Sequence, residues 1–236
     1  MNPTGKIRSF GQCLLMTLAF IVPLSGQYTK KVKEAYASSY GVKFTGGWIV
    51  SRPEVTYIGN EKDYIIHQVE FSQSSPQLAL GLTGQKRFGW LYAEGNAWIS
   101  RYAMTFDVTT YANISQPLRQ MTEKFTYVDL QMMGGLISQG FRIGVGPVMH
   151  ILADQESQLV TLENYVQKLR TVSYGFSGCV GYDFGRFAID LKYDKAFRTI
   201  GDHIYYRYKK SKFLETPDGL TLSFTYKFYK KEGTLY

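Results

Sequence analysis

The stretch from Tyr174 to Asp194, YGFSGCVGYDFGRFAIDLKYD, alternates in a way that few folds can accept. Tyr174, Phe176, Val180, Tyr182 and Phe184 share one parity, and Ser173, Ser177, Cys179 and Asp183 share the other. After Gly185-Arg186 the parity flips. Phe187, Ile189, Leu191 and Tyr193 are now the apolar set, and Asp190, Lys192 and Asp194 the polar one. A period of two is that of a β-strand, whose side chains point alternately to opposite faces. In a tight hairpin the residues flanking a two-residue loop face each other, so Phe184 and Phe187 fall on one side. Glycine first in that loop suits a type II′ turn.

The same alternation recurs along the chain. It predicts strands at Gly41–Val50, Gln77–Gln85, Leu91–Tyr102, Phe125–Ile137, Phe141–Ile151, Tyr174–Phe184, Phe187–Asp194 and Gly219–Phe228. Each is close to the ~9–11 residues that cross a bilayer as a tilted strand. Aromatics make up 16% of the chain and glycines number 23, which favours strands and tight turns over helices. The connections alternate in length. Lys86–Gly89, Ser138–Gly140 and Gly185-Arg186 are short, whereas Ser51–Pro76, Ala103–Lys124, Leu152–Arg170 and Thr199–Asp218 are long and polar. Short turns at one end and long loops at the other are the asymmetry of a transmembrane barrel. The fold expected is all-β, an eight-stranded antiparallel up-and-down transmembrane β-barrel with lipid outside and small polar side chains inside. In strand Leu91–Tyr102, Tyr92 and Trp98 share the parity of Glu94 and Asn96. Its lipid side would then be Leu91, Ala93, Ala97 and Ile99, and its orientation stays open. Pro147 cannot donate to a ladder, so a bulge is expected there.

The N-terminus reads as a secretory signal over residues 1–26. Lys6 and Arg8 lead, the apolar run Leu14–Leu24 follows, and Ser25-Gly26 are small enough for cleavage. The apolar run is about half the ~20 residues of a spanning helix. A periplasmic leader is expected over 27–40, the barrel over 41–229 and a tail over 230–236. Cys13 lies in the signal, which leaves Cys179 as the one mature cysteine and allows no internal disulfide.

An eight-stranded barrel is filled by its own side chains. The expected polar network of the interior is Glu94, Asp129, Arg142, Asp183, Asp190, Lys192 and Asp194, with Arg101 and Lys227 available to neutralise it. Its plain reading is a salt-bridge plug, because an unpaired buried charge is costly. His67, His150 and His203 match no metal spacing. His150, Asp154, Glu156 and Ser157 lie close in sequence, as an acyl-transfer site would need, but no Gly-x-Ser-x-Gly elbow accompanies them. Arg207, Lys209, Lys210 and Lys212 sit among tyrosines in the last long loop, where they would meet lipopolysaccharide phosphates.

The segments YVDLQMMGGLISQGFRIGVGPVMHILAD and SGCVGYDFGRFAIDLKYDKAF, with the closing LSFTYKF, resemble the Bacteroidetes outer-membrane β-barrel family, which includes PorT-like proteins. The resemblance runs over about residues 41–229. Glu94 stands where that family carries a glutamate in its third strand. Leu130-Gln131 departs from the usual Ile-Pro. The even strand count puts both termini on the short-turn, periplasmic side, and the chain is expected to be non-catalytic. The resemblance implies a bacterial outer-membrane location and no cofactor. It implies a binding or accessory role in secretion (type IX or gliding-like) or surface assembly, with protein partners of such a complex. Nucleic acid is excluded by location. The alternatives are an outer-membrane lipid-modifying enzyme and a soluble secreted β-sandwich that binds.

Overall fold

The computed structural model describes residues 35–50, 55–60, 65–111, 118–162, 165, 169–197, 199–201, 204–206, 209–211, 214–215 and 218–234. The expected signal peptide and most of the expected leader lie outside the described residues. The described chain is all-β. Its strands are β1 (Ala35–Ile49), β2 (Thr56–Asn60), β3 (Ile65–Ser74), β4 (Gln77–Phe88), β5 (Leu91–Tyr111), β6 (Arg119–Ser138) and β7 (Phe141–Ser157). They continue with β8 (Val172–Phe184), β9 (Phe187–Ala196), β10 (Thr199–Gly201), β11 (Ile204–Tyr206), β12 (Lys209–Ser211), β13 (Leu214–Glu215) and β14 (Gly219–Thr234).

Eight long strands pair antiparallel in the series β5-β4-β1-β14-β9-β8-β7-β6, and a β5–β6 ladder joins the two ends of that series. Each of the eight therefore has a partner on both sides. Chain neighbours are joined at one end by two-residue turns. Gly89 (φ 59°) and Gly185 (φ 68°) take the left-handed conformation at the first loop position, as a II′ turn requires. At Gln139-Gly140 both residues are left-handed (φ 50° and 89°), the pattern of a I′ turn. Phe184 and Phe187 pair across their turn with rings stacked 5.9 Å apart.

Alternation divides the ring into two faces. On β14, Leu220, Leu222, Phe224, Tyr226 and Phe228 are exposed, and Thr221, Ser223, Thr225 and Lys227 are buried. On β5 the exposed set is Leu91, Ala93, Gly95, Ala97 and Ile99, and the buried set is Tyr92, Glu94, Asn96, Trp98 and Ser100. The inner face is polar and the outer face apolar.

Above that level the pattern inverts. Met104, Phe106 and Val108 continue the inward parity of β5, while Thr105, Asp107 and Thr109 continue the outward one. On β6, Met121 and Phe125 point inward, whereas Thr122, Lys124 and Thr126 face out. Strands were not expected in Ser51–Pro76 or Ala103–Lys124, which read as polar loops. In the structure β5 and β6 run on through the second segment and β2 and β3 form a hairpin in the first. β3 takes over the edge of β5 that β4 covers lower down, from Ile66↔Tyr111 to Ser74↔Met104. Ser75 stitches the junction: its N–H donates to the Ala103 carbonyl at 2.8 Å, and its Oγ accepts from the Ala103 N–H at 2.8 Å. The apolar side of this upper sheet buries Ile58, Val69, Met104, Phe106, Val108, Met121, Phe125, Leu159 and Leu162 in one cluster.

Two expectations are corrected. β1 and β14 reach beyond the expected strands Gly41–Val50 and Gly219–Phe228, pairing from Ala35↔Thr234 onward. No bulge falls at Pro147. The β7–β8 ladder runs through Pro147↔Phe176 in constant register, and the β6–β7 irregularity lies at Thr126/Tyr127 instead. Proline is tolerated here because the pairs between Gln131↔Val148 and Gly134↔Val145 are absent from the β6–β7 ladder. A further register shift at Tyr40/Gly41 leaves both Phe228 and Tyr229 exposed on β14.

Candidate functional site: a polar network inside the ring

Arg142 on β7 is 1% exposed and anchors the interior. Its guanidinium forks onto Asp190 of β9, with Nε donating to Oδ1 at 2.7 Å and Nη2 to Oδ2 at 2.5 Å. Nη1 donates to Glu94 Oε2 at 3.0 Å and lies 3.4 Å from Asp183 Oδ1. Lys43 of β1 donates to Glu94 Oε1 at 2.5 Å and lies 3.5 Å from Asp190 Oδ2. Lys227 of β14 donates to Asp183 Oδ2 at 2.7 Å and to Gln85 Oε1 at 3.0 Å. Small residues make the room. A Cβ at Gly181 would meet Asp190 Oδ1 at 2.1 Å, and one at Gly144 would meet the Tyr92 hydroxyl at 2.1 Å.

An amide layer sits over these charges. Asn96 Nδ2 donates to Glu94 Oε1 at 2.8 Å and to Gln131 Oε1 at 3.1 Å, and Lys192 Nζ donates to the same Gln131 oxygen at 3.0 Å. Lys192 also lies over the Trp98 ring, 4.8 Å from its centroid. Higher still, Asp129 accepts from Ser100 Oγ at 2.5 Å and lies 2.6 Å from His150 Nδ1. Asp194 lines a cavity of about 30 Å³ with Asp129 and His150. Bidentate and charge-assisted bonds of this kind offset the desolvation of buried charges, which would otherwise be prohibitive. The arrangement can lock strands β1, β5, β7, β8, β9 and β14 to one another, and it fills the lower ring with side chains.

Of the seven residues expected in the network, Glu94, Arg142, Asp183 and Asp190 meet directly. Lys192 joins through Gln131, and Asp129 and Asp194 form a separate upper group. Arg101 is exposed on the outer face and neutralises nothing inside. Lys43, Gln85, Asn96, Gln131 and His150 complete the arrangement. Their signal was available, since each lies on the polar parity of its strand. Arg207 and Lys212 lie outside the described residues, as does His203; Lys209 and Lys210 belong to β12.

The acyl-transfer grouping does not assemble. His150 pairs with Asp129, whereas Ser157 donates to Glu123 Oε1 at 2.6 Å. Seven residues of strand separate them, about 20 Å. Asp154 and Glu156 are exposed, and Glu156 accepts from Lys124 at 2.9 Å. Among the described residues no group of three His, Cys, Asp or Glu could hold a metal ion. Glu123 itself is fully buried in the upper cluster. Burial holds its carboxyl above the usual range, against hydroxyl donation from Ser157 and from Tyr165 (2.7 Å). No protein-family description matches the chain, and no curated protein matches it either.

Proposed function

We propose that this chain is a small outer-membrane β-barrel of the Bacteroidetes, PorT-like type, which acts by binding, as an accessory of a secretion or surface-assembly system. The observation that carries the membrane reading is the inversion of side-chain pattern along β5 and β6. Below it, polar groups face in and apolar groups face out; above it, the reverse holds. An aqueous surface demands the upper arrangement and hydrocarbon the lower one. On β6 the outward apolar run spans Val128 to Leu136, eight steps of about 3.3 Å. Tilted by ~40°, that run stands about 20 Å tall, near the ~25 Å apolar band of such proteins. Aromatics crowd the turn end of the belt, where Phe88, Trp90, Phe141, Tyr182, Phe184 and Tyr229 are exposed. Rings at that height suit a membrane interface.

The packed interior argues for binding over solute passage, since salt-bridged side chains occupy the space a pore would need. The upper sheet of β2, β3, β5 and β6 stands clear of the belt, and its polar outer face is where a protein partner would dock. Lys209 and Lys210 of β12, which pairs with β11 beside β2, would meet lipopolysaccharide phosphates, with Arg207 and Lys212 adding to the same basic run of sequence.

Two experiments test the reading. Envelope fractionation should place the protein with outer-membrane markers, and the unheated form should migrate faster than the boiled form on a detergent gel. A polypeptide that stays monodisperse in buffer without detergent would remove the membrane assignment. Crosslinking in intact cells should then capture envelope proteins, and variants carrying charge reversals at Lys124 and Asp107 on the upper sheet should capture less. Equal capture by wild type and variants would move the binding face elsewhere.

A further inference from the structure

The outer face of the ring is not an even surface. Gly84 on β4 pairs with Gly95 on β5, and Gly95 pairs in turn with Met132 on β6. Ala93 and Ala97 are the outward residues of β5 on either side of Gly95. Together they floor a groove. Tyr40 and Leu82 wall it on one flank, and Leu130 and Met132 on the other. A Cβ on Gly84 would lie 3.3 Å from the Tyr40 ring, whereas one on Gly95 would meet nothing within 4 Å. The main hollow has a volume of about 710 Å³. A second space of about 340 Å³ continues it to Lys86, and Tyr40, Gly84, Gly95 and Met132 line both.

Length and charge decide what belongs there. From Ala93 to Ala97 is four strand steps, about 13 Å, or about 10 Å of height at a tilt of ~40°. Ile99, the next outward residue of β5, is 60% exposed and ends the floor. The groove therefore takes up less than half of the ~25 Å apolar band. A spanning helix or strand from a partner would need the whole band, whereas the acyl chain of a lipid occupies one leaflet. The other end of the groove is basic. Lys86 is exposed on the outer face, opposite Ser38 and Ala93. Its ammonium lies over the Phe88 ring, 5.1 Å from the centroid, so the side chain reaches toward the turn end of the belt. A cation at the interface with an apolar groove beside it complements an anionic phosphate that carries a hydrocarbon tail.

We propose that this groove holds one glycerophospholipid of the periplasmic leaflet, with its phosphate on Lys86 Nζ and one acyl chain laid along Ala93, Gly95 and Ala97. The inference rests on the membrane reading and goes beyond it. Hydrocarbon gives no hydrophobic drive between apolar surfaces, so retention comes from the close van der Waals packing that small residues permit, together with the phosphate contact.

The full chain refolded in maltoside micelles would be titrated with phosphatidylglycerol, or with diacylglycerol of the same chains, and read by native mass spectrometry. The expected result is saturable retention of one phosphatidylglycerol per barrel, with diacylglycerol held about fivefold more weakly. Gly95→Leu has room for its Cβ and fills the floor, so it should weaken retention of phosphatidylglycerol by about tenfold or more. Lys86→Gln should weaken it about fivefold and leave diacylglycerol unchanged, and it serves alone if the leucine variant does not fold. A barrel that folds in micelles yet keeps no phospholipid, or keeps as much with either substitution as without, would overturn this inference and leave the membrane reading standing. A dimer in micelles that Gly95→Leu dissolves would also overturn it and give the groove to a second copy. A chain that stays monodisperse without detergent would remove both readings.

Discussion

Arg142 is the largest side chain that the ring hides completely, and it contacts three carboxylates from three different strands. Removing it would strand Glu94 and Asp190 as buried charges with Lys43 as their one remaining close cation. Arg142→Ala should therefore cost about 3–5 kcal/mol, read from urea unfolding in micelles, while Arg142→Lys should cost less but lose the fork onto Asp190. A loss within error of zero for the alanine variant would mean that water enters the interior and screens the pair. Glu123 gives a prediction of opposite character. Its carboxyl is held above its ordinary value of 4.5 by burial, so the folded state prefers the protonated form. The stability that this preference supplies is complete below about pH 4.5 and is lost as pH rises through the raised value. The turn that Ser157 caps should open more readily as pH rises, and hydrogen exchange at the Leu159 and Leu162 amides measures it. Glu123→Gln should flatten that dependence, and a variant whose profile tracks wild type would refute the assignment. The sequence showed which residues share the inner face, because polarity alternates. It could not show which of them meet. Lys43 and Glu94 are 51 positions apart, and Arg142 and Glu94 are 48 apart. Their meeting depends on the stagger between strands, which a single sequence does not display.

Strand identity was legible wherever the outer face was greasy. The eight ring strands all stand where alternation placed them, and the hairpin at Gly185-Arg186 has the turn that its glycine requires. Strand ends were less legible. Met104, Phe106 and Val108 alternate as cleanly as any segment, yet their apolar side lies on the parity that is polar lower down. Read with one rule of apolar side outward, the same residues look like a loop. Glycines mark where strand approach is closest. A Cβ on Gly146 would lie 1.8 Å from the Met132 carbonyl oxygen, whereas one on Gly95 would meet nothing within 4 Å. Gly146→Ala should destabilise by about 1–3 kcal/mol or shift the β6–β7 ladder, and Gly95→Ala should stay within about 0.5 kcal/mol. Equal unfolding midpoints for the two variants would show that β6 and β7 are not held at this spacing.

At the scale of the whole molecule the decisive quantity is the height at which the outer face changes from apolar to polar. Leu130, Met132 and Leu136 are exposed below that level on β6, and Met132 is 71% exposed. Thr105 and Thr122 face outward above it, close enough for a hydroxyl contact at 3.3 Å. If hydrocarbon surrounds the lower ring, a charge at these two heights meets different surroundings. Met132→Arg should cost about 2–4 kcal/mol in equilibrium unfolding from lipid vesicles, and Thr105→Arg about 0–1 kcal/mol. In a water-soluble fold both positions would be solvated surface, and the two arginines would cost nearly the same. The contrast uses one protein, one new side chain and two neighbouring strands. A gap of at least about 1 kcal/mol supports hydrocarbon around the belt, because half-buried Thr105 is the less exposed of the two outward positions and water alone would make the arginine there the costlier one. No gap would place water at both heights, and the exposed rows of leucine, phenylalanine and tyrosine would then need a protein partner to cover them.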